Sequence, residues 1–209
     1  MGTAEFYHDG MRKLQAEAGA ERLAATLEAG ARHSVLAPEE IARIAHAEFF
    51  FIASCFKDRP DVSFKAGPKG FVSVLAPDLL EFPDYDGNYM FRTMGNIVEN
   101  ANVQLLFIDF DGKSNRLRIN GTASVDNAAE PILRYVGAKA VVRVRCHDIF
   151  PNCPRYIPDL EHGERSEYIP REGARPPMPF WKGLPFIAPV LPKDDIHAEE
   201  ANRAASRPA

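Results

Sequence analysis

Cysteine is scarce in this chain: Cys55, Cys146 and Cys153 are three among 209 residues. An odd number of thiols in a chain too long to need staples excludes a disulfide framework and suits a reducing compartment. Cys146, His147 and Cys153 lie near one another, but there is no CxxC and no obvious fourth ligand, so no metal site is expected. Cys146 reads instead as a small apolar residue on a strand. Long hydrophobic runs are also missing. No segment approaches the ~20 apolar residues that a membrane-crossing helix needs. The start "MGTAEFYHDG" lacks the basic-then-apolar order of a secretory signal, so no membrane association and a cytoplasmic location are expected. There is no excess of positive charge. Lys and Arg number 25 against 29 Asp and Glu, a formal net charge of -4, which excludes electrostatically driven binding to nucleic acid while leaving room for a local basic pocket. Neither GxGxxG nor GxxxxGK[ST] occurs where it would matter, and "AGPKGF" reads as a hairpin turn. No catalytic triad is visible: His46 and His147 read as structural or surface groups, and Asp84 and Asp86 as turn-capping acids.

What the chain does have is a succession of short strands between helical ends. Residues 11 to 30, "MRKLQAEAGAERLAATLEAG", place Leu14, Ala18, Leu23 and Leu27 near helical spacing and predict a first helix. Pro38 opens "PEEIARIAHAE" with acids in its first turn, predicting a second helix to about Glu48. The apolar run "FFFIASC" then reads as a buried strand, followed by "DVSFK", "FVSVL", "LLEF", "VQLLFIDF", "NRLRINGTASV" and "AVVRVRCHDIF". The segment "AAEPILRYVG" is a short helical candidate between the last two. Gly/Pro turns between such strands are the mark of an antiparallel sheet or barrel. From Pro151 to Pro192 the chain holds ten of its 17 prolines, so regular structure should be scarce there. Tyr156, Phe180, Trp181 and Phe186 nevertheless make it too aromatic for a plain linker, and it reads as an arm wrapped over the barrel or a partner subunit. The last stretch, "KDDIHAEEANRAASRPA", predicts a short helix. The expected organisation is a helical extension over 1–37, a barrel domain over 38–157 and a proline-rich arm over 158–209.

The stretch "FPDYDGNYMFRTMGNI" leads an acidic turn into a helix carrying Arg92 in its early turns, where the helix dipole disfavours a cation. Arg92 is sensible there if it and the exposed helix N–H groups face one anion, with Thr93 beside them and Asn96 one turn on. Met90, Met94 and Ile97 are spaced to face the core. In "DVSFK", strand alternation puts Ser63 and Lys65 on one face, a hydroxyl and an ammonium able to hold a phosphate, while Val62 and Phe64 point the other way. The plainer readings are a solvated strand face for Ser63 and Lys65, and pairing of Arg92 with Asp84 or Asp86. Arg116/Arg118 and Arg143/Arg145 each project from one strand face, as solvated residues or as salt bridges across a subunit interface.

The order "PDVSFKAGPKGFVSVL", "FPDYDGNYMFRTMGNIVENANVQLLFIDF", "RLRINGTASV" resembles the pyridoxamine 5'-phosphate oxidase-like flavoproteins over roughly Pro38 to Tyr156, and within them an uncharacterised branch with "FPDYDGN" and "NCPRYI"-type segments. The resemblance implies a mainly β fold with peripheral helices, a six-stranded antiparallel split β-barrel that binds FMN. It implies that Lys65 and Arg92 hold the FMN phosphate, assisted by Ser63 and Thr93. It further implies that the backbone of Val62, Ser63 and Phe64 approaches the isoalloxazine edge and that Asn96 lies near the flavin or its phosphate. It also implies a homodimer with FMN at the subunit interface and an FMN-dependent oxidoreductase acting on a small molecule. The rival reading is a non-catalytic protein that sequesters or senses flavin or haem on the same barrel. Trp181 or Tyr156 could stack on the flavin, with core or interface packing the commoner use of such rings. The tail has no counterpart of the C-terminal Arg/His motif that binds substrate phosphate in the vitamin B6 oxidase. Arg155, Arg171 and Arg175 are the candidates, and the substrate stays unidentified.

Overall fold

Seven stretches rich in aromatic and β-branched residues pair into one sheet: β1 (Phe49–Phe56), β2 (Arg59–Ala66), β3 (Ser73–Ala76), β4 (Leu79–Tyr85), β5 (Asn102–Ile108), β6 (Arg116–Asp126) and β7 (Ala138–Asn152). The computed structural model describes residues 6–85, 87, 89–110, 115–153, 155–160, 162, 167, 175 and 177–206. The strand order is β2-β1-β5-β6-β7-β4-β3, with neighbours antiparallel throughout. This is the expected mainly β split barrel, with β2 and β3 as its open edges. It has seven strands, one for each of the seven runs read as strands in the sequence, where the family resemblance implied six; Ser73, Val74 and Ala76 of β3 pair with Glu81, Leu80 and Leu79 of β4 across a tight turn.

Period-two alternation sets the core. Along β1, Phe50 and Ile52 are buried while Phe49 and Phe51 lie half-buried on the opposite face. The Phe50 ring meets Phe82 edge-on at 4.9 Å and lies 5.2 Å from Phe107 and 5.8 Å from Phe71. Burying each such ring contributes roughly 1.5–3 kcal/mol. At Gly121, beside the irregularity between β6 and β7, a Cβ would stand 2.4 Å from the Arg145 carbonyl oxygen, so only glycine lets the strands close there.

Glu81 on β4 is fully buried. Arg134 donates to its two oxygens at 2.5 and 2.7 Å, Arg143 Nε donates at 2.9 Å, and the Tyr135 hydroxyl lies 3.2 Å away. A buried carboxylate needs such partners to be tolerated. Arg143 also donates to Asp126, and Arg145 to Asp78, so this pair is engaged in ion pairs within the chain.

Helix α3 (Pro38–His46) starts as predicted, with the Ala37 N–H donating to Glu40 Oε2 at 2.9 Å and Ile44 buried. Helix α4 (Arg92–Glu99) buries Thr93, Met94 and Ile97. Met90 lies outside the helix and is exposed, not core-facing as its spacing suggested, because α4 begins two residues later. A single turn, α5 (Ala129–Ile132), occupies the β6–β7 connection.

These elements belong to a unit formed by residues 33–154 and 159–162; the second unit takes in 1–32, 155–158 and 163–209. In the second unit the first helix is two, α1 (Asp9–Glu17) and α2 (Glu21–Ala31), separated where Gly19 adopts φ of 60°. A left-handed residue cannot continue an α-helix, which spacing alone does not reveal. The proline-rich region shows short 3-10 turns at Phe180–Gly183 and Ala188–Val190, followed by α6 (Ala198–Ala205). Buried Lys182 donates to Asp195 Oδ2 at 2.5 Å, and the His197 N–H donates to Asp195 Oδ1 at 2.8 Å. Among the described residues no helix is long and apolar enough to cross a membrane.

Candidate functional site

On the edge strand β2, Asp61, Ser63 and Lys65 are partly sheltered on one face, while Val62 and Phe64 are exposed on the other. The start of α4 meets the sheltered face. The Thr93 hydroxyl donates to Ser63 Oγ at 2.7 Å, and Ser63 Oγ donates to Asp61 Oδ2 at 3.3 Å. Arg92 Nε donates to Asp61 Oδ1 at 2.7 Å. Three of the residues singled out in the sequence, Ser63, Arg92 and Thr93, therefore belong to one hydrogen-bonded chain, with Asp61 joining Ser63 to Arg92. Asn96, one turn along α4, donates to Ser54 Oγ of β1 at 3.0 Å and ties the helix to the sheet.

Lys65 continues the same face of β2, and its ammonium pairs with Asp84 Oδ1 at 3.1 Å. Asp84 thus serves as a counterion to Lys65 and not to Arg92, whose partner is Asp61. Asp86 and Arg171 fall outside the described residues. Asp61 is the residue that sequence reasoning missed. The signal was present, since Asp61, Ser63 and Lys65 share one alternation in "DVSFK".

The approach to α4 is strained. Tyr89 and Phe91 hold φ of 59° and 50°, left-handed values that are uncommon for residues with bulky side chains. Phe91, the residue before the helix, supplies no side-chain cap, and the first helical N–H groups have no acceptor within the helix. Tyr89, Met90 and Phe91 present exposed apolar side chains just ahead of the site.

The donor set fits a phosphate. Arg92 commits only Nε to Asp61 and is more than half exposed, so its terminal nitrogens can form a two-pronged contact. Lys65 has two further N–H bonds to give. The site also holds two carboxylates, Asp61 and Asp84, against its two cations. A bound dianion would compete with or share their hold on Arg92 and Lys65. Val62 and Phe64 can contribute backbone only, their side chains facing away. Among the described residues no group of three or more His, Cys, Asp or Glu side chains gathers to hold a metal ion. Among the described residues no disulfide forms, and burial pushes the Cys146 thiol up to about 12.

The pyridoxamine 5'-phosphate oxidase family model matches residues 36–151, more than half of the chain, and the chain belongs to that family. No curated protein matches it. Solved structures that resemble it at low identity include the following three. A Lactobacillus delbrueckii protein named for pyridoxamine 5'-phosphate oxidase is 21% identical, with 56% of this chain and 95% of that one covered and a TM-score of 0.46. HupZ of Group A Streptococcus is 17% identical, with 63% and 99% covered and a TM-score of 0.44. The FAD binding protein of Mycobacterium smegmatis is 14% identical, with 57% and 97% covered and a TM-score of 0.42.

Proposed function

We propose that this protein is an FMN-dependent oxidoreductase acting on a small molecule, with the FMN phosphate held between β2 and the start of α4. The observation that carries the reading is the chain Thr93–Ser63–Asp61–Arg92, with Lys65 two residues further along the same strand face. Arg92 and Lys65 supply the charge, Thr93 and Ser63 the hydroxyls, and the first N–H groups of α4 point toward the same end. Asn96 positions the helix through Ser54. The backbone of Val62 to Phe64 lies along the open edge, where the ring system of a flavin would find N–H and C=O groups with no strand beyond them. FMN, when bound, supplies hydride or electron transfer at its ring, and the chain supplies binding, orientation and electrostatics. Family membership supports the same assignment.

The protein acts as a homodimer in this reading. Support comes from the outward face of β1 and β2, where exposed Val62 and Phe64 stand beside half-buried Phe49 and Phe51. Phe64 stacks on Phe49 at 5.4 Å and meets Phe51 at 5.6 Å. An apolar patch of this kind on an edge suits a second copy, and a cytoplasmic setting accords with cysteines that form no disulfide among the described residues.

The test is an absorption spectrum of the purified protein, followed by addition of FMN and a screen of NADH and NADPH as reductants with oxygen as acceptor. Bound FMN that is reduced and reoxidised supports the enzyme. Bound flavin inert to every reductant leaves a binding protein, and a protein with no affinity for FMN contradicts the site itself.

A further inference from the structure

Two arginines on β6 stand apart from the site at α4. Arg116 and Arg118 project from the same outward strand face, and the Nε atom of each is buried without a hydrogen-bond partner. Arg116 donates its Nη2 to the Cys153 carbonyl oxygen. Among the described residues no carboxylate pairs with either guanidinium, whereas Arg134, Arg143 and Arg145 of the same unit are all ion-paired.

The register explains the lack of a counterion. Arg118 sits between Leu106 of β5 and Phe150 of β7, and Arg116 between Ile108 and Asn152. The row containing an acid is the next one, where Gln104 Nε2 donates to Asn120 Oδ1 at 2.7 Å and Asn120 Nδ2 in turn donates to Asp148 Oδ2 at 3.5 Å. Burial, then the adjacent Arg118 charge, draws the Arg116 guanidinium below its ordinary value. Two like charges, side by side and partly desolvated with N–H groups unmet, form an arrangement that costs stability unless something negative completes it. In the opposite direction the Arg118 row runs through Leu106 to Phe51 and Phe64, so the pair borders the apolar face of β1 and β2.

We propose that Arg116 and Arg118 form a receptor for an oxyanion, a carboxylate or phosphate group presented to the outward face of the sheet. Residues i and i+2 of a strand stand roughly 6–7 Å apart, a span that lets two guanidinium forks close on one tetrahedral or planar anion. The flanking Leu106 and Phe150 side chains suit an oxyanion carried on an apolar body. The group can come from a free small molecule or from a carboxylate of a second copy, and the inference does not depend on flavin binding.

The test titrates inorganic phosphate at low ionic strength into the wild-type protein, Arg116→Gln, Arg118→Gln and Arg92→Ala, with sedimentation velocity and thermal melting on the same samples. For a free oxyanion, each Gln variant weakens phosphate binding roughly tenfold, the loss of one charge-assisted contact, while Arg92→Ala retains this binding event. For a second copy's carboxylate, phosphate shows no such event, and each Gln variant instead shifts the monomer–dimer equilibrium toward monomer by about tenfold. For a free oxyanion, Arg118→Gln melts no lower than wild type in the absence of phosphate, because a charge with no partner among the described residues has been removed. Phosphate binding and assembly both unchanged in the Gln variants would overturn the proposal, as would a binding event lost only in Arg92→Ala.

Discussion

Arg92 Nε lies 2.7 Å from Asp61 Oδ1, joining the first residue of α4 to a strand 31 positions earlier in the chain. The cation at a helix start, unfavourable by itself, is held there by a carboxylate of β2. Asp61 therefore both positions Arg92 and competes for it, and a phosphate ligand would have to contend with that bond.

Replacing the competing carboxylate should show this. Asp61→Asn keeps a hydrogen-bond acceptor for Arg92 while removing the negative charge beside the proposed phosphate. FMN affinity measured by flavin fluorescence is expected to rise about three- to tenfold, the effect of one near charge in a partly solvated site. A marked loss of affinity would mean that Asp61 acts chiefly by holding Arg92 in place.

Lys65→Ala removes the second cation and frees Asp84. Flavin retained through purification is expected to fall, with affinity for FMN lower by roughly ten- to a hundredfold, as for one hydrogen bond to a charged group. Unchanged flavin content with an unchanged dimer would remove Lys65 from the site.

Gly121→Ala tests the sheet that carries both sites. Its added Cβ would meet the Arg145 carbonyl oxygen at 2.4 Å and Val144 Cγ1 at 2.8 Å, and backbone cannot swing aside as a long side chain can. A loss of about 1–3 kcal/mol in chemical denaturation is expected, typical of overpacking.

The Cys146 thiol gives a pH dependence with a definite sign. Burial raises it from an ordinary 9.0 to about 12, so the folded protein holds a proton that the unfolded chain releases. That contribution is complete below pH 9 and is lost as pH climbs toward 12, at most about 1.4 kcal/mol per pH unit. Alkylation of the native protein at pH 9 should spare Cys146, and its labelling at the rate of a free thiol would show that the strand opens.

Much of this architecture was legible because it rests on period-two alternation. "FFFIASC" and "DVSFK" announce which side chains share a face, and β1 and β2 follow them. The same alternation contained Asp61, but a carboxylate becomes part of a site only when a distant helix delivers Arg92 to it. Helix boundaries were less legible where backbone conformation decides them: Gly19 parts α1 from α2, and left-handed Tyr89 and Phe91 delay α4 until Arg92, leaving Met90 in solvent. The bare Nε atoms of Arg116 and Arg118 depend on what lies opposite them in β5 and β7, which no local window contains.

The most direct measurement compares FMN with riboflavin, which lacks only the phosphate, in fluorescence titrations of the wild-type protein and Arg92→Ala. The phosphate-site account predicts that the wild type prefers FMN by at least roughly a hundredfold and that Arg92→Ala erases most of that preference while riboflavin binding stays the same. Equal affinity for the two flavins in the wild type, or a preference for FMN untouched by Arg92→Ala, would contradict it.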